Sequence, residues 1–394
     1  MDMDGTITPT PNKAHGHFLP LNQTACHAPL ATWLRRGGNL AVVSTAGRRM
    51  WRQVHEDLKP AMTRPSLGAT SPGRLVMSGF SGAALFASDP ATGELVEDPE
   101  YRRSAVPDGT CPTTPQMLEL VGVGCSMIRT FLLAAAKDAT LLPALSRKYH
   151  APYEKLLAGL REHGEEAFFG KVLTREAMLK HGAFLDATND ALVDVQTIPG
   201  SDPVAAAQVT VLGIPMARFG EFFTPELVAT LENAGLHVKS QPNSVCIVRA
   251  GVDKATFVRW MCQHGHRYSA TGAPFSLRHA IAFGDNPAVV DKPLTIFPDM
   301  AFVSLAPDAA TTPKASHVVH GGGEEEGCAR FLRHLLATHE DIGGTGSAVD
   351  ADTEQSWWEA FCEVGPNTSG DVSLPKVDAL ASTAAIGATP VAPA

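Results

Sequence analysis

Two aspartates near the start of the chain, Asp2 and Asp4, stand one residue apart and are followed by Gly5-Thr6. Side chains at positions i and i+2 of an extended backbone share a face, so these carboxylates are expected to lie side by side. One carboxylate can attack a phosphorus atom, and the other can protonate the departing oxygen. The pair therefore points to nucleophilic chemistry on a phosphate ester. The alternative is that Asp-Gly-Thr is only a turn.

A second acidic loop lies far downstream, where Gly284-Asp285 follows the apolar run Ile281-Ala282-Phe283. Mg2+ prefers oxygen ligands and retains waters, so one or two carboxylates together with a substrate phosphate suffice to hold it. We expect Asp285 to be a metal ligand. Asp291 is the candidate for a second acid, either as a ligand or behind the ligands, and Asn286 could orient a water.

Two further polar positions follow apolar segments. Ser44 and Thr45 come directly after the apolar run Leu40 to Val43, and either hydroxyl could contact a phosphate, although the pair could also form a plain turn. Lys254 begins a predicted helix and could pair with a carboxylate or a phosphate oxygen. The competing interpretation of Lys254 is an exposed lysine at a helix end.

Taken together, Asp2-Met3-Asp4-Gly5-Thr6, Ser44-Thr45, Lys254 and Gly284-Asp285 occur in the order of the four motifs of the haloacid dehalogenase (HAD) superfamily, which the chain resembles over about residues 1–86 and 251–338. The resemblance implies an aspartyl-phosphate mechanism with Mg2+ as cofactor. It makes Asp2 the nucleophile and Asp4 the acid and base.

The same resemblance assigns the remaining roles. Ser44, or Thr45 as the alternative, would hydrogen-bond the transferring phosphoryl group, and Lys254 would pair with it and with the nucleophile. Mg2+ would be held by Asp285 and Asp291, by a carboxylate oxygen of the nucleophile and by the backbone carbonyl of the acid/base, which are here Asp2 and Asp4.

The chain departs from the family pattern at several positions. Ala255 replaces the glycine that often follows the motif lysine, and the loop from Asp285 to Asp291 is longer than usual. The string from Ser44 to Arg48 resembles the Thr-Gly-Arg of Cof-type members with one extra residue, which places Arg48 either near the phosphate or merely at a helix start. Only Met1 precedes Asp2, whereas a parallel strand normally contributes several apolar residues. We therefore expect a chain that begins late or lacks its central strand, with reduced stability and a poorly held Asp2.

Strands and helices alternate in the sequence, which predicts an α/β fold: a Rossmann-like, doubly wound parallel sheet. Residues 1–86 and 251–338 form its predicted core, 87–250 an inserted α+β module that corresponds to the large cap of the family, and 339–394 a disordered low-complexity tail. Predicted strands cover 40–43, 74–78, 83–86, 206–212, 237–240, 244–249, 280–285, 300–305 and 317–319. Predicted helices cover 48–58, 116–136, 151–163, 225–234, 251–262 and 324–337, and a further helix is predicted to end after Trp33, at the Gly37-Gly38 stop.

The composition restricts the class of protein. The 394 residues are 44% hydrophobic and 19% charged, with a net charge of −9, which suits a large core and argues against a nucleic-acid-binding surface. No apolar run reaches the length of a membrane span. The seven cysteines are scattered without a Cys-x-x-Cys pair, which favours reduced thiols and a cytoplasmic protein.

The function expected from these residues is hydrolysis of a small phosphorylated metabolite, with a sugar phosphate favoured. A nucleotidase for inosine-monophosphate-like substrates, a phosphomutase and a non-catalytic binding protein are the alternatives. Substrate selection is expected in the cap, whose cationic side chains are candidates for contact with the substrate, although surface roles are more common for such residues: Lys148, Arg161, Arg175 and Arg218. The oligomeric state is not predicted.

Overall fold

The computed structural model describes most of the 394 residues, and they fall into the ranges 1–10, 19–47, 49–63, 71–105, 114–143, 147–174, 177–178, 193–197, 207–212, 224–241, 244–269 and 272–338. The predicted tail at 339–394 lies outside them.

Eleven strands are described, and they form three hydrogen-bonded groups. They are β1 (Leu40–Val43), β2 (Leu75–Gly79), β3 (Ala84–Ser88), β4 (Leu95–Glu97), β5 (Val193–Thr197), β6 (Ala207–Leu212), β7 (Leu236–Gln241), β8 (Ser244–Arg249), β9 (Ile281–Gly284), β10 (Ala301–Ser304) and β11 (Val318–His320). The helices are α1 (His27–Arg35), α2 (Glu56–Met62), α3 (Pro99–Ala105), α4 (Thr114–Lys137), α5 (Arg147–His163), α6 (Glu165–Ala167), α7 (Pro225–Asn233), α8 (Lys254–His264) and α9 (Glu324–Thr338).

The first residues of the chain lie between two of these strand groups. The Met1 nitrogen donates to the Ala41 carbonyl (2.7 Å) and the Val43 amide donates to the Met1 carbonyl (2.8 Å), which is the pattern of a parallel pair. On the other side, the Asp2 amide donates to the carbonyl of Phe283 (3.0 Å). Residues 1 and 2 therefore occupy the position of the expected central strand and hold Asp2 between β1 and β9.

The sheet continues on both sides of this junction. β1 and β2 are parallel, as are β9, β10 and β11, so their carboxyl ends meet at one edge. β3 and β4 add antiparallel strands beyond β2. Because β4 pairs with β3, the sheet extends through the boundary predicted between residues 86 and 87. That boundary is corrected: the first unit reaches at least α3, which packs against β3.

Alternating side chains of the strands pack into two apolar layers, one on each face of the sheet. In β1, Val42 joins the cluster formed with α1, α2 and α9, whereas Val43 joins the cluster formed with α3 and α8. The same alternation separates Phe283 from Ala282 in β9. A sheet covered by helices on both faces is the predicted doubly wound α/β arrangement, which is confirmed.

A second unit lies between α3 and α8 in the chain. Its antiparallel sheet has the strand order β5-β6-β8-β7, and α4 and α7 pack against it. The largest buried side chains of its own apolar cluster include Phe131, Tyr153 and Phe168. This unit lies within the stretch 87–250 for which an α+β insertion was predicted.

Most elements were predicted from the sequence to within a few residues, but β4, β5, α3 and α6 were missed. Among the described residues, no helix is both long and apolar enough to cross a membrane. No disulfide involves Cys26, Cys125, Cys262 or Cys328, the cysteines whose side chains are described.

Candidate active site at the carboxyl edge of the parallel strands

The segments that begin at Asp2, Ser44 and Asp285 meet at the carboxyl edge of the sheet. They do so because residues 1–2, β1 and β9 are neighbours that end there. Asp2 is buried, and its Oδ1 accepts a hydrogen bond from the Met3 amide (2.7 Å). Gly5 has a positive φ of 74°, and a Cβ at this position would lie 2.3 Å from Oδ2 of Asp285. The glycine after Asp4 therefore lets the two acidic loops approach each other.

Lys254 reaches this edge from the first turn of α8. Asp253 caps that helix, with its side chain accepting from the Ala255 and Thr256 amides (2.9 and 3.2 Å). The lysine is 1% exposed, and its Nζ lies 2.8 Å from Oδ2 of Asp2 and 2.5 Å from Oδ1 of Asp291. Burial opposes its positive charge, but the Asp2 and Asp291 carboxylates outweigh that effect and raise the pKa of Lys254. The structure therefore rules out an exposed helix-end lysine.

Asp291 is fully buried beneath the loop that begins at Asp285. Both of its oxygens have partners, since Oδ1 contacts Lys254 and Oδ2 accepts from the Asn286 amide (3.0 Å). Gly284 permits this closeness, because a Cβ there would lie 2.3 Å from Asp291 Oδ2. The long loop thus returns Asp291 to the site, where it orients Lys254.

Asp2, Asp285 and Asp291 each place an oxygen within 4.8 Å of the other two. The pKa of Asp285 is raised to about 8, first by burial and then by the neighbouring Asp2 and Asp291 carboxylates. Burial also raises the pKa of Asp291. Crowded carboxylates of this kind are stabilised by a divalent cation, and a donor set made only of oxygen suits Mg2+. The residues present therefore fit the predicted metal.

Asp4 is bound by a residue that the sequence interpretation missed. The Arg49 guanidinium donates to both carboxylate oxygens, from Nη1 to Oδ1 (2.8 Å) and from Nη2 to Oδ2. Arg49 Nη1 also donates to Oε1 of Gln53 (2.6 Å), and Gln53 Nε2 donates to the Leu19 carbonyl (2.9 Å). Burial lowers the pKa of Arg49 to about 9, an effect that the charge of Asp2 partly offsets, so the side chain is still a cation at neutral pH.

Ser44 and Thr45 differ in their surroundings. Ser44 is buried, its amide donates to the Ser78 carbonyl (3.0 Å), and its carbonyl accepts from the Ser81 amide (3.1 Å). Its Oγ accepts from the Ala46 amide (3.1 Å), which leaves the hydroxyl hydrogen free to be donated. Thr45 is half-buried. Ser81, which fixes Ser44, has a positive φ of 62°, a strained conformation for a residue with a side chain.

The structure thus brings Asp2, Asp285, Asp291 and Lys254 into one cluster and places Asp4 beside Arg49. Arg48, Arg175 and Arg218 lie outside the described residues, and of Lys148 only the backbone, in α5, is described. Arg161 is exposed on α5. In the sequence, Arg49 could have been suspected only because two adjacent arginines follow Gly47. The resemblance pointed to Arg48 and not to Arg49.

Solved structures give matches with low sequence identity. Trehalose-6-phosphate phosphatase of Aspergillus fumigatus is 12% identical, covering 85% of this chain and 91% of its own, with a TM-score of 0.39. An N-terminally truncated IMP-nucleotidase of Plasmodium falciparum is 11% identical over 85% of this chain and 69% of its own, with a TM-score of 0.42. A haloacid dehalogenase-like hydrolase of Bacteroides thetaiotaomicron is 12% identical, covering 85% of this chain and 97% of its own, with a TM-score of 0.43.

No family model and no curated protein matches the chain. Likeness at the level of these structures does not decide the activity, and the function is therefore argued from the residues of the site.

Proposed function

We propose that the chain is a Mg2+-dependent phosphomonoester hydrolase of the HAD type that works through an aspartyl-phosphate on Asp2. The observation that carries this proposal is the buried contact of Lys254 with both Asp2 and Asp291, next to Asp285. Burying a lysine among three carboxylates is costly for stability alone, so the arrangement is typical of a catalytic centre.

In the proposed reaction, an oxygen of Asp2 attacks the phosphorus atom as the bond from phosphorus to the leaving oxygen breaks. Asp4 gives its proton to that oxygen and, as a carboxylate, then takes a proton from the water that attacks the phosphorus of the intermediate. Phosphate leaves, and Asp2 regains its carboxylate. Lys254 orients Asp2 and offsets the charge of the phosphoryl oxygens, to which Ser44 donates its hydroxyl hydrogen.

The metal would be held by Asp2 and Asp285 together with the backbone carbonyl of Asp4, and Asp291 lies within reach. When bound, Mg2+ neutralises negative charge on the phosphoryl group. Since Lys254 and the Asn286 amide already engage both oxygens of Asp291, we assign Asp291 mainly to holding Lys254 and the loop.

The substrate proposed is a small phosphorylated metabolite, with a sugar phosphate favoured over a nucleoside monophosphate. The second unit, 114–249, is proposed as the cap that reads the leaving group. A phosphomutase uses the same aspartates but returns the phosphoryl group to a sugar. The cytoplasmic location stays a prediction.

The test is Mg2+-dependent phosphate release from a panel of sugar phosphates and nucleoside monophosphates, with wild type compared with Asp2→Asn. Release that needs both Mg2+ and Asp2 is expected. Isomer conversion with little phosphate release would favour the mutase. Turnover that survives in Asp2→Asn would refute the nucleophile assignment, and no turnover by a folded, Mg2+-loaded protein would favour a binding protein.

A further inference from the structure

Arg49 occupies the oxygens that Asp4 needs for the proposed reaction. Its Nη1 and Nη2 cover Oδ1 and Oδ2 of Asp4, and the Thr8 hydroxyl lies 3.5 Å from Oδ1. A general acid must bring one carboxylate oxygen to the leaving oxygen of the substrate. The contact seen here therefore describes a resting arrangement that has to open before Asp4 can act, an inference that rests on the proposed function.

The location of Arg49 suggests where its guanidinium goes. The side chain is buried, with 7% of its surface exposed, while that of Asp4 is 24% exposed, so the carboxylate forms the outer half of the pair. Arg49 holds Asp4, which stands only two residues from the proposed nucleophile Asp2, so the guanidinium lies beside the loop that carries both aspartates. A phosphoryl group seated against Asp2 would therefore meet Arg49 as well.

The other described cation of the site is already engaged. Lys254 contacts Asp2 and Asp291 at the same time, whereas the carboxylate that Arg49 contacts is Asp4. A phosphomonoester brings negative charge and several acceptor oxygens into this cluster of carboxylates. The planar guanidinium matches a phosphate in the same two-bond geometry that it uses for a carboxylate.

Gln53 provides a support that does not depend on Asp4. It accepts from Arg49 Nη1 and is itself fixed to the Leu19 carbonyl. Arg49 and Gln53 lie four residues apart, around a π-helical turn at Trp51–His55, a feature often found at functional sites. Gln53 can therefore keep its hydrogen bond to the Arg49 guanidinium when the Asp4 carboxylate is replaced by a phosphate.

We propose that Arg49 is a phosphate-binding residue and that Asp4 holds its guanidinium in the ligand-free protein. The incoming phosphoryl group displaces the Asp4 carboxylate from Arg49, and this exchange frees Asp4 to face the leaving oxygen. Substrate binding and release of the acid/base are then a single event, and Asp4 stays paired with Arg49 as long as the site is empty.

The test measures the affinity of the full-length, Mg2+-loaded protein for inorganic phosphate by calorimetry. Loss of charge-assisted hydrogen bonds predicts that Arg49→Gln weakens binding by about tenfold to a hundredfold. Arg49→Lys keeps the charge without the two-bond geometry, and an intermediate loss is expected. Arg52→Gln is the matched control, because Arg52 is an exposed arginine only three residues from Arg49, and the phosphate affinity of this variant should equal that of wild type.

A double-mutant cycle with Asp4→Asn separates exchange from a structural role for Arg49. If Asp4 competes with phosphate for the guanidinium, Asp4→Asn tightens phosphate binding more when Arg49 is present than in the Arg49→Gln background. An equal effect in both backgrounds, or unchanged phosphate affinity in both folded Arg49 variants, would overturn the exchange. Thermal unfolding identifies any variant that does not fold, and Arg49→Lys then carries the comparison.

The phosphate-affinity measurement and the turnover assay for the proposed hydrolase can succeed or fail separately. Turnover that depends on Asp2, together with unchanged phosphate affinity in the Arg49 variants, would remove the exchange and keep the phosphatase. The predicted affinity pattern without turnover would support the exchange and remove the hydrolase.

Discussion

The carboxyl edge of the parallel strands and the antiparallel second unit use burial in opposite ways. At the edge, charged side chains are buried and held by named partners, as with Lys254 (1% exposed) and Asp291 (0% exposed). Among the described side chains of the second unit, the buried ones are apolar, as where Phe131 meets Tyr153 edge-to-face with ring centroids 5.2 Å apart, and the ion pair Arg129–Glu165 is about half exposed. Buried charge costs stability and marks chemistry, whereas a buried apolar cluster mainly stabilises the unit that contains it.

The comparison is sharpest for turnover, where we expect the largest effect. Asp2→Asn keeps the shape of the side chain but removes the nucleophile, so kcat for phosphate release should fall by about a thousandfold or more. Arg161→Gln, on the exposed surface of α5, should change kcat for p-nitrophenyl phosphate by less than about threefold. A steady-state assay measures both. Equal losses would contradict the division between the two regions.

Stability should show the same division. Lys254→Met leaves Asp2 and Asp291 buried without their cation, and we expect a loss of about 3–5 kcal/mol in the free energy of unfolding. Arg129→Ala breaks the exposed pair of the second unit and should cost less than about 1 kcal/mol. Urea unfolding at neutral pH compares them. Adding Asp291→Asn to Lys254→Met should restore part of the loss, and further destabilisation would argue against a charge effect.

Ser44 and Thr45, the two hydroxyl residues after β1, allow a test of which one contacts the phosphoryl group. Ser44 is pinned by Ser78 and Ser81, while Thr45 is half-buried. Loss of a hydrogen bond to a charged group predicts that Ser44→Ala lowers kcat/KM about tenfold to a hundredfold, and Thr45→Val should lower it by less than about threefold. The reverse order would make Thr45 the phosphoryl contact.

Metal affinity should depend on pH through Asp285, whose pKa is raised to about 8. Below that pH the metal-free carboxyl is protonated, and Mg2+ must displace the proton. The apparent Mg2+ affinity should therefore rise with pH by up to about tenfold per unit and level off above pH 8. In the metal-free protein the folded state holds this proton more tightly than the unfolded chain does, so stability should fall as the pH rises from about 4 to 8.

Calorimetry with Mg2+ at pH 6, 7 and 8 checks the affinity, and thermal unfolding of the metal-free protein checks the stability. Asp285→Asn should remove most of both pH dependences. A Mg2+ affinity that does not change with pH in wild type would mean that Asp285 is ionised before the metal binds.

The sequence was informative wherever local pattern decides structure. Apolar runs ended by polar loops located β1 and β9, and the resemblance pointed to Asp2, Lys254 and Asp285, which lie together in the structure. The short, partly exposed edge strand β4 was missed because three residues show no periodicity. The position of residues 1–2 between β1 and β9 was missed because it depends on hydrogen-bond partners from elsewhere in the chain.

Tertiary context also decided two side-chain roles. Arg48 and Arg49 are equivalent in the sequence, and the guanidinium of Arg49 was found at Asp4 only in three dimensions. The path of the loop from Asp285 decides that Asp291 returns to contact Lys254. The identity of the substrate is not readable from the second unit, because its described side chains form an apolar cluster and exposed charges with no motif.

Trapping the phosphorylated enzyme would show directly whether Asp2 is the nucleophile. Asp4→Asn removes the base for hydrolysis of the intermediate but should still react with p-nitrophenyl phosphate, whose leaving group needs little protonation. Rapid acid quenching followed by peptide mapping should find hydroxylamine-sensitive phosphate on Asp2 of this variant, and none when Asp2→Asn is added. Turnover of p-nitrophenyl phosphate by Asp4→Asn with no phosphate on Asp2 at any quench time would contradict the account.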